Sequence, residues 1–181
     1  MNTPVTFSRG LLLVGCGRMG GALLAGCLAR GTVAAGAVTV VEPVAAARAE
    51  AEKLGVAAIA DGAAFTGTAP DIILIAVKPQ VMDAVMPAYA RFTGKSVFLS
   101  IAAGRTIASF ENLLGADAGI VRAMPNTPAQ VGRGITALYA NGAVGAAGRA
   151  LAETLMNAVG DVVWLDNEGQ MDAVTAVSGS G

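Results

Sequence analysis

Short, continuously apolar runs alternate with Ala-rich helical stretches, and this rhythm predicts a doubly wound α/β domain on a mostly parallel sheet. Two observations carry the prediction. Runs such as Ile72-Ile73-Leu74-Ile75-Ala76-Val77 lack the polar alternation of a half-exposed strand, so both faces must be covered. The stretches between them have helical length and patterning, and a crossover helix is what joins parallel neighbours.

Taken in order, Leu11 to Val14 reads as a buried strand, Arg18 to Arg30 as a helix and Ala37 to Glu42 as a strand. Val44 to Leu54 follows as a helix that Pro43 can start, and Val56 to Ile59 as a short strand. Asp71 to Val77 is the longest apolar strand, stopped by Pro79; Val81 to Arg91 reads as one helix. Ser96 to Ile101 is a further strand and Thr106 to Leu114 a further helix. After Gly115 the rhythm changes: Gly119 to Ala123 and Gly134 to Ala140 read as added strands around a Pro-rich loop. Asn141-Gly142 marks a turn, Ala143 to Val159 a helix and Asp161 to Leu165 a last strand. A new helical pattern begins at Gln170. The expected division is a domain over 1–168 and the start of a second, helical domain over 169–181.

Composition narrows the chemistry. The chain of 181 residues contains no histidine, which excludes a Ser-His-Asp triad, a His-bearing zinc site and imidazole acid–base catalysis. Two cysteines cannot form a disulfide scaffold or a four-Cys metal site, so no metal is expected. A net charge of −1 and 4% aromatic residues supply neither the phosphate-neutralising charge nor the stacking surfaces of a nucleic-acid binder. Mean hydropathy is high at +0.61. Yet the most apolar stretch, Met19 to Val41, is built largely of Ala and Gly and interrupted by Arg30, so no membrane span is expected. Leu13-Val14-Gly15-Cys16 has the form of a lipoprotein cleavage box, but the apolar run before it is too short for a signal peptide. A cytoplasmic protein with reduced thiols is the expectation.

Gly15-Cys16-Gly17-Arg18-Met19-Gly20 lies between the first strand and the first helix, the setting in which G-x-G-x-x-G binds a dinucleotide and makes the sheet Rossmann-type. Gly15 permits the turn, Gly17 lets a pyrophosphate approach, and Gly20 lets helix and strand pack closely. The helix N-terminus then meets the phosphates. Glu42 ends the second strand 22 residues after Gly20, near the offset of about 20 at which a carboxylate takes the adenine ribose hydroxyls. Against a 2′-phosphate at about 4 Å and an effective dielectric near 20, one like charge costs about 4 kcal/mol. No Lys or Arg follows until Arg48, so Glu42 favours NADH over NADPH; the alternative is a solvated strand end.

Ala76-Val77-Lys78-Pro79-Gln80, Ser100-Ile101-Ala102-Ala103-Gly104, Arg122-Ala123-Met124-Pro125-Asn126-Thr127-Pro128-Ala129 and Ser178-Gly179-Ser180-Gly181 occur in this order. Together with the glycine loop they resemble the pyrroline-5-carboxylate reductase family over essentially the whole chain. The resemblance implies reduction of the C=N bond of L-1-pyrroline-5-carboxylate to L-proline with NADPH or NADH. It also implies an all-helical second domain that dimerises and forms much of the substrate pocket. On that expectation the chain is the N-terminal portion of a longer homo-oligomeric enzyme, itself weak or inactive. A family Asn near the third strand that helps hold the cofactor is replaced around Asp61-Gly62.

The cofactor residues expected are Gly15, Cys16, Gly17, Arg18, Met19, Gly20, Glu42, Ala76, Val77, Lys78, Pro79, Ala102, Ala103 and Gly104. Lys78 is also the one weak catalytic candidate; its alternative is a strand-end lysine in water. Small Ala102, Ala103 and Gly104 let a flat nicotinamide lie near the main chain, or serve only the geometry of a tight loop. Pro125 and Pro128 stiffen the loop that offers Asn126 and Thr127 to substrate. Ser178, Gly179, Ser180 and Gly181 offer backbone N–H groups to a carboxylate. Arg122 reads as a structural ion-pair partner and Trp164 as core. Cys16 sits where a helix N-terminus can lower a thiol pKa, although inert small side chains are commoner there. A protonated imine needs positioning more than proton shuttling, which suits a chain without histidine. The competing readings are a β-hydroxyacid-dehydrogenase-like oxidoreductase and a non-catalytic NAD(P)-binding module.

Overall fold

The computed structural model describes residues 6–178. Eight strands form one sheet: β1 (Leu11–Val14), β2 (Val38–Val41), β3 (Ala57–Ile59), β4 (Ile72–Ile75), β5 (Val97–Ser100), β6 (Gly119–Pro125), β7 (Gly134–Ala140) and β8 (Gly160–Trp164). Their order is β3-β2-β1-β4-β5-β6-β7-β8. β1 to β6 are mutually parallel. The link from β6 to β7 is only a short 3₁₀ helix, Thr127–Val131, so β7 must turn back antiparallel. α5 (Ala146–Asn157) then carries the chain over, and β8 runs parallel to β7. The doubly wound, mostly parallel architecture with added C-terminal strands is the one expected from the sequence.

Two apolar layers sandwich this sheet. On one face α1 (Arg18–Ala29) and α5 pack Leu23, Leu24, Leu155 and Met156 onto Leu11, Leu13, Leu74 and Leu138. On the other, Met82, Met86 and Phe110 pack onto Leu12, Val14, Ile73, Ile75 and Phe98. The alternation of inward directions along β1 and β4 sends neighbours to opposite layers, which is why these strands are apolar throughout. Asp71 pins the start of β4: its carboxylate accepts from Arg9 N at 2.7 Å and from Arg9 Nε at 2.8 Å.

One expected helix is absent in that form. Val81 to Arg91 does not form a continuous helix; α3 covers only Met82–Val85, followed by a 3₁₀ helix over Met86–Phe92. Pro87 is the cause, since it has no N–H to bond back one turn and its ring collides with that turn's carbonyl. The Ala143 to Val159 helix is likewise shorter, because Asn141, Gly142 and the residues up to Gly145 make the turn that precedes α5. α2 (Ala45–Glu52) covers β2 and β3, and α4 (Ile107–Leu114) begins at Thr106, whose hydroxyl accepts from Ser109 N. α6 (Gln170–Ser178) lies against β6 and β7 with Met171 buried. Among the described residues no helix is long and apolar enough to cross a membrane.

Candidate nicotinamide-dinucleotide site

The order in which strands are added reverses between β1 and β4, and the crevice outside the carboxyl ends of those parallel strands is where open α/β sheets bind ligands. The glycine loop and Ala76 to Pro79 meet there. Gly15 has φ +90°, and a Cβ on it would lie 2.9 Å from both the Ala76 carbonyl oxygen and Val77 Cγ1. A Cβ on Gly20 would lie 2.5 Å from the Gly15 carbonyl oxygen and 3.0 Å from Ala76 Cβ. These two glycines are therefore required by the packing of the protein on itself. Gly17 is different: its φ is −70°, and among the described residues nothing lies within 4 Å of its Cβ position. The space over Gly17 opens outward at the start of α1. No side chain caps that end, and its first turn holds no acidic residue. The α1 amides and dipole thus face an opening suited to an anion.

Glu42 is only 8% exposed and turns inward. Its carboxylate accepts from Cys16 N at 2.8 Å and from Val44 N at 3.0 Å, tying the glycine loop to the corner between β2 and α2. Arg48 sits on the same corner, donating from Nη1 to the carbonyls of Glu42 (2.7 Å) and Pro43 (2.8 Å). Beside it a crevice of about 360 Å³ runs past Val41, Pro43, Asp61, Val77, Val81 and Tyr89, within the size range of small-ligand sites. Asp61 accepts from Ala63 N at 2.9 Å. Tyr89 fills the space that the missing Gly62 side chain leaves.

Cys16 follows the commoner reading of an inert small side chain. Its thiol pKa is raised rather than lowered, first by burial and then by the nearby Glu42 carboxylate. The helix N-terminus does not outweigh a half-buried setting beside a negative charge.

The next loops along the same edge follow from strand order. Lys78 is exposed and extended (φ −64°, ψ 143°), as the residue before Pro79 must be. Ala102, Ala103 and Gly104 follow β5, with Gly104 at φ +74° and Ala102 N donating to Ser100 Oγ at 3.2 Å. Arg105 stitches these two loops together, donating from Nη2 to the Pro79 carbonyl at 2.9 Å and to Asp83 Oδ1 at 2.7 Å. No local pattern singles out Arg105, because its partners lie 26 and 22 residues away.

At the end of β6, Asn126 Oδ1 accepts from Ile135 N at 2.9 Å, while Thr127 is exposed. An apolar groove of about 400 Å³ opens beside Asn126, lined by Met124, Ile135, Ala137, Val163 and Val174. Arg122 makes the structural pairing expected of it, 2.7 Å from Glu168. Trp164 packs half-buried against the core, donating to Glu153 Oε2 at 3.0 Å with the Arg149 guanidinium 4.8 Å from its ring centroid. The Ser178 side chain and Gly179, Ser180 and Gly181 lie outside the described residues.

Similarity to known proteins agrees with this geometry. The chain is 42% identical over 173 residues to a pyrroline-5-carboxylate reductase of Pseudomonas aeruginosa, covering 94% of this chain and 63% of that protein. It is 38% identical over 169 residues to a Synechocystis protein of the same name, covering 93% and 62%. A pyrroline-5-carboxylate reductase structure from Coxiella burnetii superposes with a TM-score of 0.89 at 32% identity, covering 96% of this chain and 65% of that one. A Plasmodium falciparum pyrroline carboxylate reductase with NADP bound gives 0.85 at 26% identity, covering 97% and 64%. The chain thus spans 63% and 62% of the lengths of these two relatives. A family model described as NADP oxidoreductase, coenzyme F420-dependent, matches residues 10–104, more than half of the chain, and its span contains the glycine loop, Glu42, Lys78 and the Ala102 to Gly104 loop. By that match and the site geometry that accompanies it, this chain belongs to the family of NADP oxidoreductases so described.

Proposed function

We propose that the protein provides the cofactor half of a reductase that acts on the C=N bond of pyrroline-5-carboxylate with a reduced nicotinamide dinucleotide. The observation that carries the cofactor reading is Gly17, whose absent side chain is explained by no neighbour among the described residues and leaves free space at an uncapped helix N-terminus. The substrate reading is supported by the relatives named pyrroline-5-carboxylate reductase, at 42% and 38% identity. When bound, the nicotinamide supplies a hydride.

The roles of this chain's own residues follow from where they stand. The α1 amides, with Arg18 and Met19 in the first turn, hold the pyrophosphate over Gly17. The crevice past Val41, Pro43 and Val77 takes the adenosine. Ala102, Ala103 and Gly104 offer a low wall to a flat ring, held in place by Arg105. Asn126 spends its carbonyl on Ile135 N, so its amide is the end left to donate toward substrate. Lys78 presents a cation at the same edge, suited to a carboxylate or phosphate oxygen. Residues 1–168 form the cofactor unit in this reading. A protonated imine already carries the proton that its nitrogen needs, so orientation and exclusion of water are the tasks left to the protein.

For the cofactor, NADH is favoured over NADPH because Glu42 places a carboxylate at the ribose corner, with Arg48 offsetting part of its charge. The test is calorimetric titration of the chain with each cofactor, together with an assay of pyrroline-5-carboxylate reduction. Weak binding of NADH and slow or absent turnover are expected. Binding of neither cofactor refutes the reading, and a preference for NADPH of more than about tenfold, or ~1.4 kcal/mol, refutes the role given to Glu42.

A further inference from the structure

Glu168 stands outside every motif, yet its carboxylate joins three separate elements. Oε1 accepts from Arg122 Nη1 on β6 at 2.7 Å and from Ile107 N, the first amide of α4, also at 2.7 Å. Two residues later the chain enters α6. Arg122 is 4% exposed, so its guanidinium has little access to water and depends on this partner. It stands beside Ser100 in the sheet register, and Ser100 Oγ receives the Ala102 N–H of the small-residue loop. That loop is thus flanked by Ser100, the sheet neighbour of Arg122, at its start and by Ile107, bonded to Glu168, just past its end.

We propose that Glu168 and Arg122 are positioning residues, forming a latch that holds the entry of α6 against the start of α4 and so sets the groove beside Asn126 in register with the Ala102 to Gly104 loop. The proposal rests on the reading of this edge as the nicotinamide side of the site. Its physical basis is that a single carboxylate cannot satisfy a buried guanidinium and a helix-start amide together unless all three segments are in place. The adenosine crevice is lined from the ends of β1 and β2 and from the segment after β4, and among the described residues none of its lining side chains bonds to Glu168, Arg122 or Ile107. Latch and crevice are therefore separable by experiment.

The chain and its Glu168→Gln, Glu168→Ala and Arg122→Lys variants are compared in two ways. Amide hydrogen exchange reads Ile107 and α6 against β1 and β4; titrations with NADH and with ADP-ribose read the whole cofactor against its adenosine half. The latch predicts at least tenfold faster exchange at Ile107 and through α6 in Glu168→Ala, with β1 and β4 unchanged. It predicts at least fivefold weaker NADH binding with ADP-ribose affinity within twofold of the parent. Glu168→Gln, which keeps a neutral acceptor, falls between. If Glu168→Ala fails to fold, Glu168→Gln and Arg122→Lys carry the same comparison. Unchanged exchange at Ile107 and α6 overturns the latch, as does parallel loss of NADH and ADP-ribose affinity, the mark of general destabilisation. Should the parent chain bind neither NADH nor ADP-ribose, the functional reading fails while the exchange arm still decides the latch.

Discussion

Gly17→Ala and Gly20→Ala form a pair whose outcomes must differ if the glycine loop works as described. At Gly17 a methyl group meets nothing within 4 Å and the backbone is at φ −70°, so alanine fits without strain. Reduced freedom of the unfolded chain favours alanine by about 0.4–1 kcal/mol, and alanine's poorer performance as an N-cap opposes this by a similar amount. Stability should therefore change by less than about 1 kcal/mol, or roughly 2–4 °C in Tm for a chain of this size. The methyl group does occupy the space where a phosphate must approach the α1 amides. Losing one charge-assisted hydrogen bond there costs about 1.5–3 kcal/mol, a loss of affinity of about 10- to 100-fold for NADH. Gly20→Ala puts its methyl carbon 2.5 Å from the Gly15 carbonyl oxygen, a backbone atom that cannot swing aside. α1 must shift, and overpacking of this kind costs about 1–3 kcal/mol, seen as a fall of several degrees in Tm. Thermal melts and calorimetric titration of both variants supply the comparison. A Gly17→Ala protein that melts normally and binds NADH with parental affinity would refute the assignment of that space to the pyrophosphate.

Three further outcomes are expected. Glu42→Gln should move the NADPH-to-NADH affinity ratio toward NADPH by about fivefold or more, the ~4 kcal/mol of a bare contact being reduced by Arg48 and by salt; an unchanged ratio sinks the electrostatic role of Glu42. Burial pushes the Cys27 thiol up to about 12, and burial with the Asp61 charge raises the Tyr89 hydroxyl to about 12. Both groups stay protonated in the fold while the unfolded chain releases their protons, so stability falls as pH rises through 9–12, by up to about 1.4 kcal/mol per pH unit per group. Denaturant midpoints between pH 9 and 10 read the Cys27 part, and a slope unaltered in Cys27→Ala contradicts it. A thiol reagent should label half-buried Cys16 in the native protein, more slowly when NADH is present, and reach Cys27 only on unfolding. Native labelling of Cys27 ahead of Cys16 would contradict the burial pattern.

Patterns that are local in sequence are legible in the residues themselves. The continuous apolar strands required a sheet covered on both faces, and Leu11–Val14, followed by the glycine loop and an Ala-rich helix, required a turn with an open helix end. Pro87 marks the limit of such patterns: the apolar spacing of Val81 to Arg91 reads as one helix, but the missing N–H at Pro87 overrides it.

What the chain does across distance was not legible. The motif assigns the three glycines their roles, but that Ala76 is the neighbour for which Gly15 and Gly20 make room depends on β4 lying beside β1, although 61 residues separate Leu11 from Ile72. The same holds for Glu42 closing on Cys16 N, for Arg105 bridging two loops, and for Glu168 reaching back to Arg122 and Ile107. Hydrophobic period and turn chemistry are short-range and largely independent of partners, so the sequence by itself determined the elements, their layering and the motif that opens the site. Hydrogen bonds and charge pairs form only where the packed sheet brings their groups within about 3 Å, so only the tertiary structure decided which polar side chains hold that site in shape.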